Sequence, residues 1–379
     1  MPNIKIDCVI GTRPEAIKMA PVILALMTDT RFQVRVVATG QHTDMLDQAL
    51  SYFHLRADEN LKIMKDRQTL DHITSAVLEG VGRVLDEDRP AAVLVHGDTT
   101  TTFAAALAAF YRGIPVGHVE AGLRSHDLKH PFPEEMNRLL TDRISTWWFA
   151  PTQFAKENLL HDGIESKNII VTGNTVVDAL RYTVEHTYQP QNDALRFLGD
   201  GGDFILMTAH RRESWGEPME RICQALKRIL DQHPAMKAVV PMHKNPLVRE
   251  IMERQMGSHD RICLCEPLDY PDFVWCMANC RLIMSDSGGV QEEATALGRP
   301  VLILREVTER PEAVEHGSGL LVGTDEERMV FCASELLSDE DKYQKLVQKC
   351  KTNPFGDGKA SERIVERLGL DLGDGSDGI

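Results

Sequence analysis

Short apolar runs alternate with longer amphipathic stretches along almost the whole chain, and that rhythm admits few folds. Parallel strands covered on both faces read as unbroken apolar runs, and each crossover between them needs a helix. In the first half the runs are Ile4 to Ile10, Gln33 to Ala38, Leu61 to Met64, Ala92 to His96, Pro115 to Val119, Trp147 to Phe149 and Ile169 to Val171. Between the first two, the segment from Pro14 to Met27 carries Ile17, Ala20, Ile23, Leu24 and Met27 at helical spacing, with Pro14 suited to a first turn. A second series runs Phe204 to Met207, Ala238 to Val240, Ile262 to Leu264, Leu282 to Met284 and Val301 to Leu304.

The expected class is therefore α/β, with two Rossmann-like domains built on parallel sheets. A chain of 379 residues is also long for a single core. The segment from Val184 to Asp203, with Pro190, Gly199, Gly201 and Gly202, has the composition of a connection. The expected boundaries are 1–175 for the first domain and 176–355 for the second. A helix over 356–370 is expected to return to the first domain, and a disordered tail over 371–379, rich in Gly and Asp, to follow it.

A net charge of −15 removes the basic footprint that general nucleic-acid binding requires, while leaving room for a small anion held by a local helix terminus. No apolar run is long enough to span a bilayer, and the N-terminus opens on a strand rather than a basic leader, so the expectation is a cytoplasmic protein with no membrane partner. The eight cysteines are scattered, which suits reduced thiols better than a disulfide scaffold. Cys263 with Cys265 and Cys276 with Cys280 have spacings that a metal could use, but buried cysteine more often packs as a small hydrophobe, and no metal is expected.

Ligands of open α/β sheets bind beyond the carboxyl ends of the strands, and those are the positions where this sequence turns polar. Gly11-Thr12-Arg13-Pro14-Glu15 follows the first run, with Lys18 one turn on, and can form either an anion cradle or a solvated βα turn. His96-Gly97-Asp98-Thr99 and His118-Val119-Glu120 put carboxylates after two more runs, although Asp98 also fits a helix cap. Glu134 and Glu135 stand at a predicted helix start, where acids also suit the helix dipole. In the second half come His210-Arg211-Arg212-Glu213, then Met242-His243-Lys244. Last is Ser285-Asp286-Ser287-Gly288-Gly289, whose small residues expose amides to phosphate, with Glu293 one turn later in reach of ribose hydroxyls. No Gly-x-Gly-x-x-Gly opens a helix after a strand, and no P-loop signature occurs, so neither a nicotinamide cofactor nor P-loop chemistry is expected.

Taken together these segments resemble the non-hydrolysing UDP-N-acetylglucosamine 2-epimerases of bacterial surface-polysaccharide synthesis. The likeness extends over Gly11 to Lys18, His96 to Thr99, His118 to Arg124, Pro133 to Arg138, Thr172 to Thr175, His210 to Glu213, Asp286 to Glu293 and Thr308 to Glu312. It implies a glycosyltransferase B type fold, usually a homodimer, with the active site in the interdomain cleft and no cofactor. Asp98, Glu120 and Glu134 match the family's catalytic carboxylates and His210 its cleft histidine. Arg13, Lys18, Ser287, Gly288, Gly289, Glu293 and Arg310 match nucleotide-binding positions, with Phe273 near the uracil. Gln41, Arg67 and His243 match contacts of a second, activating substrate molecule, but Asp44 and Lys244 depart from the regulated members.

The reaction that the resemblance implies is reversible epimerisation at C2 of UDP-N-acetylglucosamine to UDP-N-acetylmannosamine. UDP leaves and is re-added through a 2-acetamidoglucal, and the product supplies polysaccharide synthesis. A hydrolysing epimerase or a glycosyltransferase on the same scaffold is the nearest alternative, and a non-catalytic nucleotide-sugar sensor a more distant one.

Overall fold

The structure is a computed structural model that describes residues 4–40, 43–65, 68–185, 188–199, 202–308 and 310–373. Among the described residues thirteen strands fall into two sheets, and every strand pair is parallel. The chain divides into unit 1, residues 1–179 with 355–379, and unit 2, residues 180–354.

Unit 1 contains β1 (Ile4–Ile10), β2 (Phe32–Ala38), β3 (Glu59–Asn60), β4 (Ala92–His96), β5 (Val116–Val119), β6 (Trp147–Ala150) and β7 (Ile169–Val171). Their spatial order is β3-β2-β1-β4-β5-β6-β7, so the order reverses between β1 and β4. At such a switch point the crossovers leave toward opposite faces, and a crevice opens beyond the strand ends. The sheet is closely covered because its helices are built for it. Val9, Val37, Val93 and Val95 pack with Val77 and Val81 of helix Leu70–Glu87 and with Ala104, Ala105 and Ala108 of helix Thr100–Tyr111. The alanines let the two helices approach each other, and each buried valine contributes about 1.5–3 kcal/mol.

Unit 2 contains β8 (Phe204–Thr208), β9 (Lys237–Pro241), β10 (Ile262–Cys265), β11 (Leu282–Ser285), β12 (Val301–Ile303) and β13 (Gly319–Leu321), in the order β10-β9-β8-β11-β12-β13. The switch point here lies between β8 and β11. Helix Glu217–Gln232 buries Ile222, Leu226, Ile229 and Leu230 against Ile205, Met207, Ala238 and Met284. Their i, i+4, i+7 spacing forms one stripe on the helix.

Three local expectations are corrected. Leu61 to Met64 is not a strand, because Lys62 adopts a left-handed φ of 51° and the pairing stops at Asn60; the Leu61 and Ile63 amides reach the Ala38 and Thr39 carbonyls instead. Met27 is 57% exposed, while Met19, Val22 and Leu26 are buried, because helix Arg13–Thr28 packs on other helices as well as on the sheet. Residue 371 belongs to a helix, not to the expected tail. Helix Ala360–Gly373 runs on through that position, and Asp371 accepts hydrogen bonds from Trp147 Nε1 and Arg367 Nε, each at 2.6 Å. Positions 374–379 of that expected tail lie outside the described residues.

The division between units falls inside helix Thr175–Glu185 rather than in the Gly-rich stretch after it. The chain re-enters unit 1 at Phe355, whose carbonyl accepts from Asn174 N at 2.7 Å. Asp178 then caps the returning helix by accepting from Ala360 N at 3.2 Å and Ser361 N at 2.8 Å. Among the described residues no helix is long and apolar enough to cross a membrane.

Candidate active site

In unit 1 the switch point is lined by the turns after β1, β4 and β5. Gly11 ends β1, and a Cβ there would lie 2.4 Å from Thr101 Oγ1, so only glycine lets this turn pass the neighbouring helix. Helix Arg13–Thr28 follows, with Arg13 and Lys18 half-buried in its opening turns. Glu15 points inward and is fully enclosed. One carboxylate oxygen accepts from the Gly11 and Thr12 amides, and the other accepts from Thr99 Oγ1, which joins the first turn to the turn after β4. Burial pushes the Glu15 carboxyl up to about 7 against those hydrogen bonds.

After β4, Gly97 takes a φ of 72° and Asp98 projects beyond the strand end. Thr99, not Asp98, caps the next helix, accepting from Thr102 N at 3.2 Å. The Asp98 carboxylate is therefore available, and it pairs with Arg138 Nη2 at 2.6 Å while Asn137 Nδ2 holds the Asp98 carbonyl at 2.9 Å.

After β5, Glu120 adopts a φ of 68°, a left-handed conformation that costs a non-glycine residue energy and is found where geometry matters. Its carboxylate pairs with Lys18 Nζ and accepts from Asn174 Nδ2 at 2.9 Å. His96 Nε2 lies 3.7 Å from the same oxygen. Among the described residues neither ring nitrogen of His96 has a hydrogen-bond partner, and its burial holds the ring toward the neutral form.

Of the acid pair at the start of helix Glu134–Ile144, Glu134 is half-buried and Glu135 is buried. Glu135 accepts from the Ser125 and His126 amides at 3.0 and 3.1 Å and pairs with Arg138 at 3.3 Å, a scaffold role. Gln41 and Arg67 lie outside the described residues.

In unit 2, β8 delivers His210 and β11 delivers Asp286 to the second switch point. Asp286 is fully buried. Its Oδ2 accepts from His210 N, Arg211 N and Ser214 Oγ at 2.9, 2.9 and 3.0 Å, and its Oδ1 lies 3.3 Å from His210 Nδ1. His210 also stacks on His243, with centroids 5.5 Å apart. Its desolvation lowers the imidazole pKa, and Asp286 opposes that shift.

Ser287 is the N-cap of helix Gly288–Ala296, which begins with Gly288 and Gly289. A Cβ on Gly288 would lie 3.9 Å from Arg211 Nη2 and 4.0 Å from Arg310 Cζ, so two guanidinium groups flank a free helix N-terminus. Arg310 is held by an ion pair with the buried Glu292, and Glu293 sits half-buried beside it. Phe273 is half-buried in helix Tyr270–Asn279. Such a constellation suits a phosphorylated ligand: oriented amides, a positive dipole end and two cations.

Arg211, Asp286 and Glu15 were not singled out from the sequence as site residues. Arg211 and Asp286 stand just after a strand and Glu15 in the first turn of the helix that follows one, but an anchor is recognised only when its partners are known. Among the described residues no group of His, Cys, Asp or Glu could hold a metal ion. Cys263 Sγ donates to the Ala194 carbonyl and Cys280 Sγ to that of Met277.

Comparison with known proteins points the same way. The family described as UDP-N-acetylglucosamine 2-epimerase matches residues 24–369. The UDP-N-acetylglucosamine 2-epimerase of Bacillus subtilis is 50% identical over 97% of this chain and 96% of its own. The crystal structure of UDP-GlcNAc 2-epimerase from Neisseria meningitidis bound to UDP-GlcNAc is similar at a TM-score of 0.88 and 46% identity, covering 96% of this chain and 99% of that one. The Methanocaldococcus jannaschii enzyme in complex with UDP-GlcNAc and UDP gives a TM-score of 0.81 at 36% identity, over 97% and 100% of the two chains.

Proposed function

The chain belongs to the UDP-N-acetylglucosamine 2-epimerase family, and from that premise we propose that it inverts C2 of UDP-N-acetylglucosamine by eliminating UDP and adding it back, with no loss of sugar to water. The family membership makes it an isomerase; the route, the absence of hydrolysis and the residue roles are the proposal.

The chemistry begins from a difficulty. C2 of the pyranose has no adjoining carbonyl, so its hydrogen is not acidic enough for simple abstraction. If a base takes that hydrogen as the C1–O bond breaks, the electron pair forms a C1=C2 double bond and UDP departs with the bonding electrons. The result is a 2-acetamidoglucal. Protonation of C2 from the opposite face and return of UDP to C1 complete the inversion. Two faces require two proton carriers.

The observation that carries this reading is the presence of two carboxylates on adjacent strand ends, Asp98 after β4 and Glu120 after β5, each facing a cation and neither spent on capping a helix. A carboxylate beside Lys18 or Arg138 can exchange a proton with a partner held against it. Glu134, at the start of the helix that also carries Arg138, is assigned to the same sugar-facing set. In unit 2 the amides at Gly288 and Gly289, with Arg310, are assigned to the diphosphate, whose charge grows as C1–O breaks, and Arg13 in unit 1 is assigned to nucleotide binding. Arg211 joins the diphosphate set on the geometry at Gly288. Glu293 is assigned to the ribose, Phe273 to the uracil and His210 to the leaving phosphate.

Incubation with UDP-N-acetylglucosamine alone in D2O tests the route. The expected product is UDP-N-acetylmannosamine with deuterium at C2, because a proton taken by one carboxylate is not the one returned by another. Protium retained at C2 would contradict the two-carrier route. Stoichiometric free N-acetylmannosamine would instead establish the hydrolysing alternative.

A further inference from the structure

His118 lies in β5 with no exposed surface, two residues before Glu120, and its ring makes two hydrogen bonds. Nδ1 is 2.6 Å from Asp142 Oδ1, and Nε2 is 2.7 Å from the carbonyl oxygen of Gly97. A carbonyl oxygen can only accept, so Nε2 carries a hydrogen. At Asp142 the other oxygen accepts from Arg124 Nη2 at 2.6 Å. Asp142 is thus held between His118 and Arg124.

We infer that His118 positions the Gly97–Asp98 turn for the reaction, its Nε2–H holding the carbonyl one peptide before the Asp98 carboxylate. Its other ring nitrogen is anchored on Asp142, which Arg124 holds in turn, and Arg124 also pairs with Asp162 at 2.8 Å, so the ring cannot turn without breaking a buried network. The other titratable groups nearby are His96, whose ring is held neutral, and Glu120, which is paired with Lys18.

The mechanical consequence concerns two turns at once. The Gly97 amide donates to the Val119 carbonyl at 3.0 Å, and the Gly97 carbonyl accepts from His118. Gly97 is thus clamped on both sides to β5, the strand that leads into Glu120. Its φ of 72° leaves the peptide no comfortable alternative for most side chains. The spacing between the Asp98 and Glu120 turns is set by this clamp, and a displacement of about 1 Å at a reacting group costs on the order of a hundredfold in rate. His118 touches no substrate in this account and is a positioning residue. The inference rests on the assignment of Asp98 to proton transfer.

The test uses the full chain labelled with 15N-histidine. Long-range 1H–15N correlation at the pH of the activity assay should show a hydrogen on Nε2 of His118, identified by loss of the signal in the His118→Gln variant. A ring carrying its hydrogen on Nδ1 alone would overturn the inference. Kinetics of two variants provide the second readout. His118→Gln places an amide N–H near Nε2 and can still hold the Gly97 carbonyl, so its kcat should remain within about tenfold of the parent. His118→Asn reaches only toward Asp142, and its kcat should fall by about a hundredfold with KM little changed. Equal kcat for the two variants would refute the clamp, and if both fail to fold, the 15N pattern of the parent decides alone. Asp98→Asn is run alongside. Full activity in that variant would overturn the catalytic reading of Asp98 while leaving the Nε2–H signal intact, so the two failures are distinguishable.

Discussion

Arg138 Nη2 lies 2.6 Å from Asp98 Oδ2, and the neighbouring Asn137 Nδ2 lies 2.9 Å from the Asp98 carbonyl, so two consecutive residues of one helix hold both ends of a single aspartate. That helix begins at Glu134. An aspartate fixed in this way keeps its rotamer whether or not a ligand is present, which favours transfer of a proton at a defined place.

Asp98→Asn and Glu120→Gln should each lower turnover by at least about a hundredfold, the scale of general acid or base catalysis, while the melting temperature changes little. Coupled assays for UDP-N-acetylmannosamine, with circular dichroism on the same samples, provide the measurement. A variant that unfolds yet keeps full activity per folded molecule would show its carboxylate to be structural.

Replacing Glu293 by Ala, or Arg211 by Gln, should weaken UDP binding by about 1–3 kcal/mol in titration calorimetry, the scale of a hydrogen bond to a charged group. Asp98→Asn should leave UDP affinity near that of the parent. Equal weakening by all three would contradict the division of labour between the two sheets.

The recurrence of strands was legible because parallel strands buried on both faces leave unbroken apolar runs, as Ala92 to His96 does. Leu61 to Met64 carried the same composition without the structure, since a strand also needs a partner in register and Lys62 turns away. β13 escaped notice because Gly319–Leu321 opens on a glycine, which reads as a turn signal. At the site, position after a strand pointed to Asp98, Glu120, His210 and Ser287. His118 lies inside a strand, Asp286 just after one and Glu15 in the first turn of a helix, and each acts through partners supplied by another strand or helix. Glu134 and Glu135 are adjacent in sequence, and only the fold separates the half-buried one from the one that fastens a loop.

Glycine at 122 should prove hard to replace. Its φ is 86°, and a Cβ would come 2.3 Å from the Ala155 carbonyl oxygen, so Gly122→Ala combines backbone strain with a clash against main chain. A loss of at least about 2 kcal/mol is expected in urea denaturation. Gly97→Ala meets only a side-chain oxygen at 4.0 Å and should cost about 1 kcal/mol, from its φ of 72° alone.

Glu15 should give stability a pH dependence. Its folded-state carboxyl is pushed up by burial to about 7 from an ordinary 4.5, so between those values the folded chain holds a proton that the unfolded chain has released. Its contribution is full below the ordinary value and is lost as pH rises through about 7. The loss is bounded at about 3 kcal/mol for a shift of that size. Glu15→Gln, a mimic of the protonated acid, should flatten the decline in denaturation midpoint between pH 5 and 8. An unchanged slope would assign the decline to other groups.

The return of helix Ala360–Gly373 to unit 1 also sets an order of assembly. During synthesis the β1 to β7 segments emerge first, but Trp147 lacks its Asp371 partner and helix Arg13–Thr28 lacks the helix that covers it until the last described residues leave the ribosome. Unit 2 is one uninterrupted stretch and is fully emerged earlier. The domain begun first is therefore the one finished last, and a ribosome that stalls after residue 354 releases a chain whose second domain is complete and whose first, with both strand-end carboxylates, is still missing its closing helix.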